Sequence, residues 1–541
     1  MRVPTHVIKN YQALHTWTGI IAGLLLFIGF FAGALTMFER TLDDWSQPPV
    51  TRLAALNVAQ MEQLIEHVAA TEQPPESGFS LNFDDQALAP MVWGRERGFN
   101  VNPNLWLASL DGDGQLELQQ QQPSNLATLI DQLHQTAGIP GTLGHESLGV
   151  IIMGVASLLY FLALVSGLIL WLPAWRKDLF AMRNGRNKKR FWLDGHNAVG
   201  IISLPFHLVI SITVVVFAFH DVFYGSLQEA VYGDKPMFDF NNGVTQQQQP
   251  LQQLAPLSNV IAQIEQRAPD YQLSQLEYLR LNRPGASLRA SLEHNSAVVR
   301  GPHAAYLLLN PYSGEIIDDT YMPDSDSGWM VPVTSFFALH FGSFGGTPMR
   351  WAYFLLGLGG AFLFFSGNLL WLEARRKKIR RHSSEVSQPL SVRVMAKLTV
   401  AIPLATVLAV ALGLALSKWL ALWPQHSNWD FIGLFYITVS LSLFAAWRLT
   451  AGELLLTLLR LLSLACALVP ITSLLACVTD IGLWPSSGTG WGVDAVAAVF
   501  AVLSFVAAKR LAQRQWAADS LWRVPAMEPS QALARTDAKS V

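Results

Sequence analysis

The sequence predicts a polytopic α-helical membrane protein with about eight transmembrane helices and a duplicated core in which two spans flank a folded external segment, twice over. Three observations predict it. Only 14% of the 541 residues are charged, against about 25% in an average soluble domain, while 51% are hydrophobic and the mean hydropathy is +0.29. Four runs long enough to cross a bilayer contain no Lys, Arg, Asp or Glu. One pair of motifs also recurs in two halves of the chain. Such a composition excludes disorder, which needs low hydrophobicity, and nucleic-acid binding, which needs a basic domain.

The four uncharged runs are Thr16–Phe38, Ser147–Trp175, Gly195–His220 and Trp351–Leu372, numbered here spans 1 to 4. Spans 5 to 8 are Leu398–Ser417, Phe431–Trp447, Leu461–Thr479 and the weaker Trp491–Ala508, which Asp494 interrupts. Segment 10–38 thus holds span 1, 39–146 an external segment, 147–175 span 2, 176–194 a basic loop, 195–220 span 3 and 221–335 a second external segment. Segment 336–372 leads into and contains span 4, 373–397 is a basic linker, 398–508 a four-span extension and 509–541 a tail. Lys9 before span 1 also fits a secretory signal, but the run is too long for a signal core and belongs to the repeat.

Lys and Arg collect on the cytoplasmic side of a membrane protein. Segment 176–194 carries Arg176, Lys177, Arg183, Arg186, Lys188, Lys189 and Arg190, and the linker carries Arg375, Arg376, Lys377, Lys378, Arg380, Arg381, Arg393 and Lys397. The long segments are acidic, the first having only Arg40, Arg52, Arg95 and Arg97 as basic residues. The expected orientation places both termini in the cytoplasm and both long segments outside. The formal net charge of −2 therefore averages two opposite populations.

The repeat is explicit. His15-x-x-x-Gly19 opens span 1 and His196-x-x-x-Gly200 opens span 3, while Ser166-Gly167 to Leu172 closes span 2 and Ser366-Gly367 to Leu372 closes span 4. Leu133-His134 and Leu339-His340 precede the return spans. Parallel repeats imply a pseudo-two-fold axis along the membrane normal. In the second external segment Tyr306–Asn310, a Pro311-Tyr312-Ser313-Gly314 turn and Glu315-Ile316-Ile317 read as a β-hairpin. Leu105–Leu110, Asp111-Gly112-Asp113-Gly114 and Leu116-Glu117-Leu118 read as its counterpart. The aspartates there suit a turn better than a calcium loop, since no ladder of ligands follows them.

Only two cysteines are present, Cys466 and Cys477, both in one apolar run. Disulfide frameworks, iron–sulfur clusters, Cys-type zinc sites and covalently attached haem are excluded by count and spacing. Histidine, with thirteen copies, is then the ligand stock, and a ligating side chain at membrane depth is a functional candidate. The axis should bring His15 towards His196 and His134 towards His340, and two facing imidazoles can fill both axial positions of a b-type haem. Gly19, Gly23 and the Gly29-x-x-x-Gly33 stripe leave room for a macrocycle or for close helix packing. His207 follows His196 by eleven residues, about 16.5 Å along a straight helix and about 20° round it. It suits a mid-membrane ligand, a cap for a haem propionate or a bond to a neighbouring helix. His145 and His220, at the outer boundary, compete with His134 as partner of His340. Hydrolase, nucleotide and flavin fingerprints are missing from the sequence, so electrons would come from membrane quinol or another protein.

These residues resemble the PepSY-associated transmembrane helix family, bacterial inner-membrane proteins that include siderophore-iron reductases. The stretches that carry the resemblance are Leu14-His15-Thr16-Trp17-Thr18-Gly19, His196-Asn197-x-x-Gly200 with Leu204-Pro205-Phe206-His207, Leu339-His340-Phe341-Gly342-x-Phe344-Gly345-Gly346, and the Asn310–Glu315 turn. The resemblance covers roughly residues 10–380. It implies two α+β PepSY-like periplasmic domains, two haems b and one-electron reduction of a ferric siderophore on the periplasmic side. The alternatives are a haem-free PepSY membrane protein that binds or regulates envelope partners, and an iron or siderophore transporter. Spans 5 to 8 lie outside the resemblance, with Trp423, Trp429 and Trp484 at their outer interface.

Overall fold

The computed structural model describes residues 4–49, 51–71, 74–84, 87–94, 105–121, 124–144, 146–174, 183, 188–235, 250–294, 298–299, 301, 304–324, 330–377, 386–423, 427–517 and 519–524. His145, most of the basic loop before Lys188, part of the 373–397 linker and the tail beyond Val524 lie outside the described residues. Internal contacts divide the chain into two compact units, residues 1–181, 197–363 and 425–429 in one and 182–196, 364–424 and 430–541 in the other.

The first unit begins with helix α1 (Thr5–Thr36), the short α2 (Glu39–Ser46) and α3 (Val58–Ala69). Strands β1 (Gly78–Asn82), β2 (Met91–Trp93), β3 (Leu105–Leu110) and β4 (Leu116–Gln121) follow, then α4 (Leu126–Thr136), a small β5–β6 hairpin (Thr142–Leu143, Glu146–Ser147) and α5 (Leu148–Trp171). The order then recurs. Helices α6 (Lys188–Ile202), α7 (Leu204–Ala218) and α8 (His220–Leu227) lead to α9 (Leu257–Arg267). After them come β7 (Gln272–Leu279), β8 (Ser287–Glu293), β9 (Ala305–Leu309), β10 (Ile316–Asp318), α10 (Met330–Phe341) and α11 (Gly346–Arg375). Each half is therefore a span, a helix, a four-stranded meander, a short helix and a return span.

The sequence suggests two separate external domains, but their strands form one antiparallel sheet in the order β10-β9-β8-β7-β1-β2-β3-β4. The first strands of the two meanders pair with each other, Gly78 opposite Leu279 and Asn82 opposite Gln275. The order is palindromic about this pair, which is what a local two-fold axis through the sheet produces. Helices α3 and α9 cover one face. Met61, Leu64 and Val68 of α3, and Leu257, Val260 and Ile264 of α9, bury themselves with Leu81, Leu276, Leu288 and Leu307 of the strands. Area removed from water drives this at roughly 25 cal/mol per Å². Both expected hairpins form. Asp111 Oδ1 accepts from the amides of Asp113 and Gln115 at 2.9 and 2.8 Å, and Asn310 Oδ1 accepts from those of Tyr312 and Ser313 at 2.9 and 3.2 Å. Gly114 and Gly314 complete the turns at the same left-handed φ of 76°. The Asp111 carboxylate is thus engaged by backbone.

Among the described residues seven helices are long and apolar enough to cross a bilayer: His6–Thr36, Leu148–Trp171, Gly346–Arg375, Leu390–Leu420, Trp429–Arg448, Ala451–Val478 and Gly488–Gln513. An eighth span exists only if α6 and α7 count as one, and they are bent by 69° at Ser203. Pro205 explains the break, since it has no N–H to offer the carbonyl of Ile201 and its ring crowds that turn. The expectation that His207 shares a helical face with His196 is therefore overturned, because it assumed a straight helix between them. Small residues bring the helices of this unit close. A Cβ on Gly154 would stand 2.5 Å from Ala218 Cβ, and one on Gly360 would stand 2.3 Å from the Phe30 ring.

The second unit contains α12 (Leu390–Leu420), α13 (Asn428–Arg448), α14 (Ala451–Val478) and α15 (Trp491–Gln513). Among the described residues these four helices bury two charges, Lys418 at 0% and Asp494 at 4% exposure. Lys418 Nζ donates to Ser473 Oγ at 3.0 Å and to Trp484 O at 3.1 Å. Ser473 and Ser486 donate in turn to the Asp494 carboxylate at 2.9 and 2.5 Å. Removing one such charge leaves the other buried and unanswered, so the network ties three helices together.

The β1–β7 seam depends on Gly78, whose φ is +140° and whose absent side chain would fall 2.1 Å from Tyr278 O. Gly78→Val is expected to lower stability by about 2–4 kcal/mol, read as a lower thermal midpoint of the purified protein. An unchanged midpoint would show that the seam tolerates a side chain there.

Candidate functional site

Helices α4 and α10 occupy equivalent places, each following the last strand of a meander and each carrying a Leu-His pair in its final turn. Leu133 is buried, and with Leu126, Leu129 and Ile130 it anchors α4. The glycines after His340 let α10 reverse into α11, since Gly342, Gly345 and Gly346 all adopt left-handed φ of 64°, 70° and 60°. Neither histidine waits outside the bundle. His134 lies against Gly29 and Gly33 of α1, and Met153 of α5 adjoins Gly29. His340 lies against Thr213 and Phe217 of α7.

The two imidazoles are neighbours, with ring centroids 6.0 Å apart and planes inclined by 36°. His134 Nδ1 donates to Gly29 O at 2.8 Å. His340 Nδ1 lies 2.8 Å from Thr213 Oγ1, and that hydroxyl lies within 2.9 Å of Val209 O and 3.0 Å of Ile210 O. A carbonyl only accepts, so the hydroxyl proton points to the backbone and Thr213 Oγ1 accepts from His340 Nδ1. With Nδ1 engaged in this way in both rings, Nε2 is the nitrogen left to bind a metal. With metal–nitrogen bonds of about 2 Å, two imidazoles on opposite sides of one ion have centroids roughly 6 Å apart. The centroid separation is compatible with both imidazoles holding one haem iron.

Glycine has a different job here from the expected one. A Cβ on Gly33 would stand 2.5 Å from His134 Nδ1, so the Gly29-x-x-x-Gly33 stripe makes room for an imidazole before it makes room for a macrocycle. The same device recurs at the other histidines. His15 Nδ1 donates to Ala163 O at 2.8 Å, and a Cβ on Gly167 would stand 2.9 Å from its ring. His196 Nδ1 shares a hydrogen bond of 2.9 Å with Ser366 Oγ, beside Gly367. The His motif at the start of one span is thus the packing partner of the Ser-Gly motif at the end of the next. His15 and His196 fall in different units, and each is described within its own.

His207 is fully buried at 0% exposure, ringed by Phe30, Phe206 and Tyr160 with centroids 5.3, 5.2 and 5.9 Å away. Neither of its ring nitrogens has a hydrogen-bond partner among the described residues. Such a group costs about 1–3 kcal/mol. His220 keeps other company, with Nδ1 donating to Phe217 O at 2.7 Å and Nε2 at 3.2 Å from Asp221. Of the proposed partners of His340, the structure places His134 beside it. Sequence reasoning missed Thr213, although a hydroxyl inside an apolar run is a signal of a polar neighbour.

Helices of this length and hydropathy, in a chain that returns through the same motifs twice, define a multi-pass membrane protein with a duplicated core. The PepSY-associated TM region family matches residues 12–374, two thirds of the chain, and the chain belongs to it. No curated protein matches it.

Thr213→Val removes the acceptor of His340 Nδ1 while keeping the shape. It is expected to destabilise the purified protein by about 1–3 kcal/mol, and Thr213→Ser should restore the thermal midpoint. Equal midpoints for all three would show that the bond carries no weight.

Proposed function

We propose that this protein is a haem b-containing oxidoreductase of the bacterial inner membrane that passes electrons to a ferric siderophore on the side bearing the sheet. The observation that carries the reading is the His134–His340 pair, two imidazoles 6.0 Å apart with both Nδ1 atoms held by oxygen. Oxygen partners at Nδ1 fix the ring and raise the basicity of Nε2, which is what an axial ligand needs. When bound, the haem supplies a one-electron carrier. His134 and His340 would hold its iron, Gly29 O and Thr213 would orient those rings, and the buried, unpartnered His207 is a further contact for a cofactor in this core.

Crossing the membrane takes a second haem nearer the opposite side, and His15 and His196 are the imidazoles available for it, each with Nδ1 engaged. The electron donor on this reading is quinol or a cytoplasmic reductase. At the substrate, one electron converts Fe(III) to Fe(II). Hard oxygen ligands hold the softer ferrous ion less tightly, so reduction frees the metal from the chelate.

Protein purified from haem-replete cells should be red, with Soret and α bands that sharpen and shift on dithionite reduction. His134→Ala and His340→Ala should each lose the same haem, about half the total. A colourless wild type would refute the reading, and full haem content in both variants would refute the pairing.

A further inference from the structure

Away from the imidazole pair, Glu146, His220 and Asp221 converge where α5 begins and α7 ends. Glu146 stands on β6, immediately before α5, and His220 and Asp221 open α8. One ligand atom from each lies within 4.8 Å of the other two: an imidazole nitrogen and two carboxylate oxygens.

The orientation of His220 is set from outside the trio. Its Nδ1 donates to Phe217 O at 2.7 Å, which fixes the ring and turns Nε2 to the carboxylates, 3.2 Å from Asp221 Oδ1. A proton on Nε2 would answer one carboxylate and leave Glu146 unmatched. Among the described residues no Lys or Arg pairs with Glu146 or Asp221. Two carboxylates beside an imidazole are a donor set that suits a divalent cation.

We propose that Glu146, His220 and Asp221 form a binding site for a first-row divalent metal ion, separate from the haem ligands and open to solution on the sheet side. The His220 and Asp221 side chains are 42% and 59% exposed, so an ion can enter and keep water in its remaining positions. A mixed nitrogen and oxygen donor set suits Mn(II), Fe(II) or Zn(II), whereas Mg(II) and Ca(II) favour oxygen alone. The phenyl ring of Phe217, whose carbonyl holds His220, packs on His340 with centroids 4.9 Å apart, so the ion would sit one residue contact from the proposed haem ligand.

The test is Mn(II) binding to the full-length protein after chelator treatment, read from the loss of the free-ion EPR signal, with haem content measured on the same samples. Wild type should bind one equivalent. His220→Ala and the double variant E146Q/D221N should weaken binding by about tenfold or more with haem content unchanged, and Asp221→His, which exchanges one ligand for another, should retain it. Unaltered binding in His220→Ala and E146Q/D221N would overturn the site. Loss of haem in His220→Ala would overturn it as well, by assigning His220 to the cofactor. Binding of one equivalent by a preparation without haem would support the site, which shares no ligand with the cofactor.

Discussion

The pairing of β1 with β7 is the constraint on which the rest of the duplicated core depends. Five residues of each strand lie opposite one another, and through them two meanders that would each expose an edge become one sheet. Each meander leads away from the seam, and α4 and α10 follow the two outermost strands. Both helices then return towards the pseudo-axis and bring His134 and His340 together. Duplication supplies the two equivalent groups, and the seam makes them neighbours.

Oxygen at Nδ1 is the second recurring theme. Gly29 O, Ala163 O, Thr213 Oγ1 and Ser366 Oγ serve four histidines of the two repeats. In an apolar interior an imidazole with no partner costs more than one that is hydrogen-bonded, so each span supplies an oxygen at its histidine. The helices after the duplicated core meet the same demand differently, by linking Lys418 to Asp494 through serine hydroxyls. His207 stands apart because nothing among the described residues answers either nitrogen.

Much of this was legible in the sequence because it follows from local composition. Uncharged runs located the spans, the repeated motifs located the duplication, and Asp111 and Asn310 located two equivalent turns. What was not legible depends on distant partners. The single sheet needs Gly78 beside Tyr278, two hundred residues away in chain order, and each meander read alone looks like its own domain. Span 3 was read as straight although Pro205 marked its break, and the face shared by His196 and His207 went with it. Span 5 is read to stop at Ser417 and Asp494 to interrupt span 8, whereas Asp494 and the neighbouring Lys418 belong to one buried network. The glycines of α1 were assigned to a cofactor or to helix packing, because no local rule shows that a histidine one hundred residues later fills the gap.

The central claim is that His134 and His340 jointly hold one haem iron. Low-temperature EPR of the oxidised protein tests it most directly. The account requires a low-spin ferric signal of bis-imidazole type that disappears in both His134→Ala and His340→Ala and persists in His220→Ala. A wild-type spectrum with no low-spin ferric signal, or one that either substitution at the pair leaves intact, would contradict it.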